Sequence, residues 1–253
     1  MSFNALVLAG TRPGGDPLAR AEGVSHKGLI TVAGQPIIVR VLAALREAGA
    51  ARIGVVADDP AIIQLAGQFG AEIVAPAPGP SASAAAGFAQ IGEPLVVTTS
   101  DHALLRAEWV RQLVRDAPPA CDVAVMLARR DAVERALPGS ARTYLRFADG
   151  EWSGCNLFLL GSPAANSALA TWQRIEADRK RPWKIVSRLG PMTLLDYLFG
   201  RLTLAEGIAR LGRRIGIDAA LVAAEDGLAA VDVDKLADLV AVRGVLSRAG
   251  NDA

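Results

Sequence analysis

Apolar residues come in two alternating textures along the first 130 positions. Short unbroken runs at Ala5–Ala9, Ile53–Ala57 and Pro94–Thr99 suit strands buried on both faces. Between them the apolar residues fall at helical spacing. Pro36–Ala48 starts near a proline and stops at Gly49, Pro60–Phe69 stops at Gly70, and Ser81–Ile91 is rich in alanine. Ala71–Val74 reads as a further strand, Ala107–Val114 as a helix and Asp122–Leu127 as a strand. Strands alternating with helices predict a parallel sheet joined by right-handed crossovers.

The rhythm changes near residue 140. Thr143–Phe147 and Asn156–Leu160 are strand-like and joined by A-D-G-E-W-S-G, which predicts a hairpin or a mixed extension of the sheet. Helical patterns dominate from Pro163 to Leu211. A weak strand region precedes V-D-V-D at 231–234, and Lys235–Leu246 reads as the last helix. There is no internal repeat, and A-P-A-P-G-P-S-A-S-A-A-A is too short to join two domains. The 253 residues are read as a single domain, α/β in class, with a core of Ala, Val, Leu and Ile and few aromatics.

Charge and cysteine content narrow the picture. A net charge of +1 implies no general attraction to nucleic acid or membrane. Cys121 and Cys155 form no disulfide framework or zinc pattern, and His26 and His102 alone make no His-rich metal site. The N-terminus lacks a basic n-region, and no apolar run is long enough to span a bilayer. The expectation is a reduced, soluble, cytoplasmic protein without a transmembrane segment.

The first strand runs into A-G-T-R-P-G-G, and S-H-K-G-L-I follows after a gap. Glycines let backbone N–H groups approach an anion, and Arg12 and Lys27 supply charge, so the segment suits phosphates. A plain glycine-rich turn with solvated basic residues is the alternative. Neither G-x-x-x-x-G-K-[ST] nor G-x-G-x-x-G is present.

Leu8-Ala9-Gly10, Arg12, Lys27-Gly28-Leu29 and Gly34-Gln35-Pro36-Ile37-Ile38 resemble the signature of nucleotidyltransferases of the molybdenum-cofactor and sugar-nucleotide type. That signature is L-A-G-G-x-G-x-R, a gap, P-K or D-K, then G-x-P-[LI]-[LI]. Thr11 stands where the family has its second glycine, Pro13-Gly14-Gly15 is rearranged, and His26 replaces Pro or Asp. Either Arg12 or Arg20 fits the family arginine. The resemblance implies a Rossmann-like, three-layer, GT-A-like fold with a mainly parallel mixed sheet. Residues 1–130 would be the nucleotide-binding half and 131–253 the acceptor half.

Two further motifs fit the same family. V-V-T-T-S-D-H-A ends a strand at Asp101, where the family has D-x-P and a metal-binding Asp; Ala103 replaces the proline. V-D-V-D-K-L-A-D-L resembles the family's D-[IV]-[DN]-T-P-E-D-L, which makes Asp232 the second metal ligand and Asp234 the cap of the last helix. Both aspartates have helix-capping alternatives. Mg²⁺ takes hard oxygen ligands, so two carboxylates plus substrate phosphates would complete its shell.

The implied reaction is Mg²⁺-dependent transfer of a nucleoside monophosphate from an NTP to a phosphorylated acceptor, releasing pyrophosphate. Arg12, Lys27 and Asp101 would be catalytic. Leu8, Ala9, Gly10 and Thr11 would line the nucleotide, with Ser81 and Ser83 as further nucleotide contacts or helix caps. The resemblance points to CTP or GTP ahead of UTP. Asn156 would touch the acceptor or pair with backbone. Arg142, Tyr144 and Arg146 alternate along one predicted strand, which reads as a solvated basic edge.

R-K-R-P-W-K at 179–184 suggests an acidic acceptor or a membrane surface, with Lys184 and Arg188 on the acceptor phosphate, or a solvated loop with Trp183 packed inward. The acceptor is a small molecule or lipid-linked, and the protein a monomer or homodimer. A nucleotide-binding regulator without turnover is the competing reading, favoured by Thr11 and Ala103.

Overall fold

The computed structural model describes residues 2–11, 14–177 and 190–251. The chain opens with β1 (Phe3–Ala9) and passes through the glycine loop into α1 (Pro17–Ala21), which Asp16 caps. A single 3-10 turn, Lys27–Leu29, precedes a small ribbon of β2 (Thr31–Val32) and β3 (Gln35–Pro36). Alternation then runs through α2 (Ile37–Ala48), β4 (Ala50–Ala57), α3 (Pro60–Gln68), β5 (Glu72–Val74), α4 (Pro80–Ile91) and β6 (Leu95–Thr99). It continues through α5 (Ala107–Asp116), β7 (Val123–Arg129) and α6 (Arg130–Ala136). After the hairpin of β8 (Leu145–Phe147) and β9 (Gly150–Leu160) come α7 (Ala165–Ala177), α8 (Pro191–Leu198) and α9 (Leu204–Arg214). β10 (Ala219–Ala223) and α10 (Leu236–Asn251) complete the chain. The short α1 and α6 escape a reading based on periodicity.

The main sheet has the order β10-β7-β9-β6-β1-β4-β5, with β8 added on β9. Neighbours are parallel except at β9, which runs antiparallel to β6, β7 and β8. The side-chain period of two on β1 divides the core. Ala5, Val7 and Ala9 pack in one apolar cluster with α2, α5 and α10, while Leu6 packs in another with α4 and α7. Helix α4 comes very close to the sheet here. A Cβ on Gly87 would collide with the Leu6 side chain, so glycine is what permits the approach.

Topology places the site. From β1 the chain moves to β4 and β5 on one side, then returns to β6 on the other. The loops leaving the carboxyl ends of β1 and β6 therefore diverge around a crevice, where open α/β sheets take their ligands. The glycine loop and Asp101 follow these two strands directly.

The predicted seven-residue hairpin connection is corrected. β9 begins at Gly150, and only Ala148 and Asp149 separate it from β8. The polar-looking E-W-S-G stretch is half-buried strand, with Trp152 inside. Arg142 and Tyr144 precede β8, so they and Arg146 do not share a strand face. Among the described residues no helix is long and apolar enough to cross a membrane.

Candidate active site

At the end of β1 the backbone turns into the loop. Leu8 still belongs to the sheet, and its carbonyl accepts the Ser100 N–H at 3.0 Å. Ala9 is buried, whereas Gly10 and Thr11 are exposed. Thr11 donates twice to the Asp58 carboxylate at the end of β4, from its N–H at 3.1 Å and its hydroxyl at 2.6 Å. Those bonds, the hydroxyl's above all, hold the Asp58 carboxyl below its ordinary value. Gly14 and Gly15 both have positive φ, a backbone path that a side chain would strain. The Arg20 guanidinium donates to the Gly14 carbonyl at 3.2 Å, so Arg20 braces this loop. Arg12 lies outside the described residues.

His26 stands where the related sequences have Pro or Asp, and its role is structural. Its Nδ1 accepts the Gly28 N–H at 2.9 Å and so starts the 3-10 turn. Burial pushes the imidazole below its ordinary value, which suits an acceptor nitrogen. The turn presents Lys27. Its ammonium lies 2.7 Å from Asp101 Oδ2 and 2.7 Å from Asp234 Oδ1. Burial alone would drive the ammonium down, but Asp101 and then Asp234 hold it above its ordinary value. Asp101 is also fixed by the Thr99 hydroxyl at 2.5 Å. The Lys27 and Asp101 side chains are 9% and 13% exposed; Asp234 is 57% exposed and opens to solvent.

Val233 N–H donates to the Asp101 carbonyl at 3.1 Å, which pins the V-D-V-D segment to the β6 loop. Asp232 and Asp234 flank this bond but have different partners. Asp232 accepts Arg142 Nη1 at 2.5 Å and Asn156 Nδ2 at 2.6 Å. Burial raises the Asp232 carboxyl, Arg142 opposes that, and Asp101 and Asp234 add to it. Asn156 reaches Asp232 because β9 bulges there. The register against β7 shifts between Val125 and Leu127, and Asn156 takes a φ of 49°. A bulge beside a site commonly re-aims one side chain.

The structure thus brings Lys27, Asp101, Asp232 and Asn156 to one place beside the glycine loop. Asn156 spends its amide on a carboxylate instead of on backbone. Asp238, in the first turn of α10, accepts the Asp234 and Lys235 N–H groups at 3.1 and 3.0 Å, while the Asp234 carboxylate reaches Lys27. Ser81 and Ser83 are not N-caps. Gly79 is the N-cap of α4, and the buried Ser83 hydroxyl exchanges hydrogen bonds with the Ala77 backbone. Lys184 and Arg188 lie outside the described residues.

Arg142 and Asp58 are the site residues that pattern reading missed. Asp58 was signalled by a second carboxylate beside the cap of α3 in V-V-A-D-D-P. Arg142 carried no signal, because an alternating strand face looked sufficient for it.

The Lys27 group holds two carboxylates against one ammonium. Its two carboxylates are hard oxygen donors of the kind Mg²⁺ takes, but among the described residues no group of three or more His, Cys, Asp or Glu is placed to hold a metal ion. The neighbouring Arg142–Asp232 pair is closed and neutral.

The sequence model of the MobA-like NTP transferase domain matches residues 5–191. A solved structure of a hypothetical transferase from Thermus thermophilus is 31% identical, covers 94% of this chain and 100% of its own, and superposes with a TM-score of 0.82. CMP:2-keto-3-deoxy-manno-octonic acid synthetase complexed with CTP shares the fold at 18% identity, with a TM-score of 0.60 over 98% of this chain and 100% of its own. A nucleotidyl transferase from Methanothermobacter does so at 17% identity, with a TM-score of 0.59 over 97% of this chain and 98% of its own. No curated protein sequence matches the chain. The matched span, the strand order and the motifs at the ends of β1 and β6 agree: the chain belongs to the MobA-like NTP transferase family and is a nucleotidyltransferase.

Proposed function

We propose that the protein transfers a nucleoside monophosphate from an NTP to a phosphorylated acceptor and that Mg²⁺ assists. The observation that carries this reading is the Lys27–Asp101–Asp234 group, an anionic cluster in the crevice between the β1 and β6 loops. Asp101 would hold the metal together with the 232–234 segment. The Asp232 oxygens are engaged by Arg142 and Asn156, whereas Asp234 meets Lys27 and is mostly solvent-exposed. When bound, the metal would neutralise charge on the α-phosphate.

In this reading an acceptor phosphate oxygen attacks the α-phosphorus. A new P–O–P bond forms, the α–β bridge breaks, and pyrophosphate leaves with the bonding electrons. A phosphate acceptor is already ionised near neutrality, so the chain needs no general base. Lys27 is permanently charged and nearly buried, so it stabilises the leaving pyrophosphate in a poorly screened setting. The positive φ of Gly14 and Gly15 is the kind of backbone path by which a loop can turn N–H groups toward phosphates. The CTP-bound neighbour supports a pyrimidine triphosphate first in a substrate screen.

The test is pyrophosphate release from each of the common NTPs with Mg²⁺ and a panel of phosphorylated acceptors. Release that needs one NTP, one acceptor and Mg²⁺ is expected. Release without a phosphorylated acceptor, or undiminished in the Asp101→Asn variant, overturns the reading.

A further inference from the structure

Among the described residues the most exposed apolar surface lies on α8. Among the described residues nine large apolar side chains are exposed, and six of them are Leu145, Met192, Leu195, Tyr197, Leu198 and Phe199. Five of the six lie on α8 and its C-cap Phe199, and Leu145 lies on β8. Met192, Leu195, Leu198 and Phe199 follow helical spacing along one side of α8. The Tyr197 ring meets Phe147 edge-on at 5.6 Å, which joins α8 to β8 and so to Leu145. On its other side α8 is anchored by Asp196, which pairs with Arg210 of α9, and by the buried Thr193. The stripe is therefore held outward by a fixed attachment.

Charge identifies the occupant. The described stretch 190–214 holds four basic residues, Arg201, Arg210, Arg213 and Arg214, against two acidic ones, Asp196 and Glu206. It carries a formal +2 against −1 for the remainder. Basic groups flank the stripe itself. Arg201 lies 5.6 Å over the Phe199 ring, and the Arg214 guanidinium lies against Gly190 at the start of α8. A nucleic acid would answer the charge but leave Met192, Leu195 and Leu198 unmatched. A second copy of the chain would answer the apolar stripe but repeat the positive charge. An anionic bilayer answers both, with headgroups for the arginines and the acyl boundary for the stripe.

We propose that α8 and its flanking arginines form a peripheral docking surface for an anionic lipid bilayer. Leu145 lies three residues along the chain from Arg142 at the carboxylate cluster. Docking would therefore set the Arg142 side of the site close to the bilayer.

The experiment is co-sedimentation of the full chain with vesicles of phosphatidylcholine alone or with about one third phosphatidylserine. Binding to the anionic vesicles only is expected, together with release when salt rises from about 0.1 M to about 1 M and the screening length falls to about 3 Å. The Leu198→Ser/Phe199→Ser double variant should lower the partition coefficient at least about tenfold. Val240→Ser, which alters an equally exposed apolar residue on α10, should leave it unchanged. Circular dichroism of both variants should match the parent. No binding to either vesicle, or equal binding by parent and double variant, overturns the proposal. So does a concentration-dependent dimer that the double variant abolishes while vesicle binding persists. None of these readouts uses turnover, so a failed nucleotidyl-transfer assay leaves the docking test intact.

Discussion

Two cation–carboxylate groups lie side by side at the carboxyl edge of the sheet, and they are built to opposite ends. In the first, one ammonium serves two carboxylates and one of them is mostly exposed. In the second, one guanidinium and one amide close over a single buried carboxylate. The first is held by neighbours that solvent or a ligand can replace. The second closes on its carboxylate from within, with Arg142 Nε buried and unpartnered among the described residues, and disturbing either charge leaves the other stranded. The difference separates chemistry from scaffolding. The open group should govern turnover, and the closed group should hold the C-terminal V-D-V-D segment against β9.

The largest expected effect falls on the open group. Asp101→Asn keeps the shape and the Thr99 contact but removes one of the two negative charges facing Lys27. Turnover should drop roughly a thousandfold, the scale of losing several kcal/mol of transition-state electrostatics. Stability should fall less than at the closed group, because Lys27, although as buried as Arg142, keeps Asp234. Steady-state pyrophosphate release and urea denaturation of the same sample separate the two effects. A stability loss as large as the activity loss would erase the distinction between the groups.

The reverse is expected at the closed group. Arg142→Met leaves Asp232 buried and facing Asn156 alone, and breaking a buried pair from one side costs about 3–5 kcal/mol. The double variant Arg142→Met/Asp232→Leu should recover much of that, since no unpaired charge remains. Denaturant midpoints of the two singles and the double give the coupling directly. A near-neutral Arg142→Met would mean that the pair is open to solvent and no scaffold at all.

How much of this was readable beforehand differs between the two groups. Lys27 and Asp101 each end a strong local pattern, a strand followed by a fixed motif, so both could be placed from sequence. The alternation of strand and helix up to residue 127 was readable for the same reason. The closed group was not. Asn156 reaches Asp232 through a bulge, which depends on pairing with β7 and leaves no mark in an alternating apolar run. Arg142 reaches it from an irregular stretch before β8. Asp234 was read only as a local cap, but a lysine 207 positions away takes one of its oxygens. Local rules found the residues, and long-range charge pairing decided their partners.

His102 sits between the groups and offers a pH test. It is almost fully buried and stacks on Trp109 with ring centroids 5.9 Å apart. Burial pushes its imidazole from 6.5 down to about 4; Asp101 resists the fall and Arg142 adds to it. In that window the unfolded chain binds a proton that the folded chain refuses, so stability rises with pH. The stability is complete above 6.5 and is lost as pH falls toward 4, by about 3 kcal/mol for a shift of this size. His102→Gln should flatten that limb in urea denaturation measured across the window. An unchanged limb would place the titration elsewhere.

The smallest effect concerns Thr11, where the chain departs from its family's glycine. The family's loop needs freedom at this position, whereas here the Thr11 hydroxyl and N–H are both fixed on Asp58. Asp58 ionises more readily in the folded chain than its ordinary 3.8, so its bond contributes fully above that value and is lost as pH falls through the folded one. The contact is solvent-exposed, so Thr11→Val should cost no more than about 1 kcal/mol near neutrality and less in acid. The valine keeps the N–H bond, so the loop loses one restraint of two. Nucleotide KM should rise a few-fold with kcat held, because the loop positions phosphates without joining the chemistry. A fall in kcat on the scale expected for Asp101→Asn would move Thr11 and Asp58 into the open group and make that group larger than Lys27 and its two carboxylates.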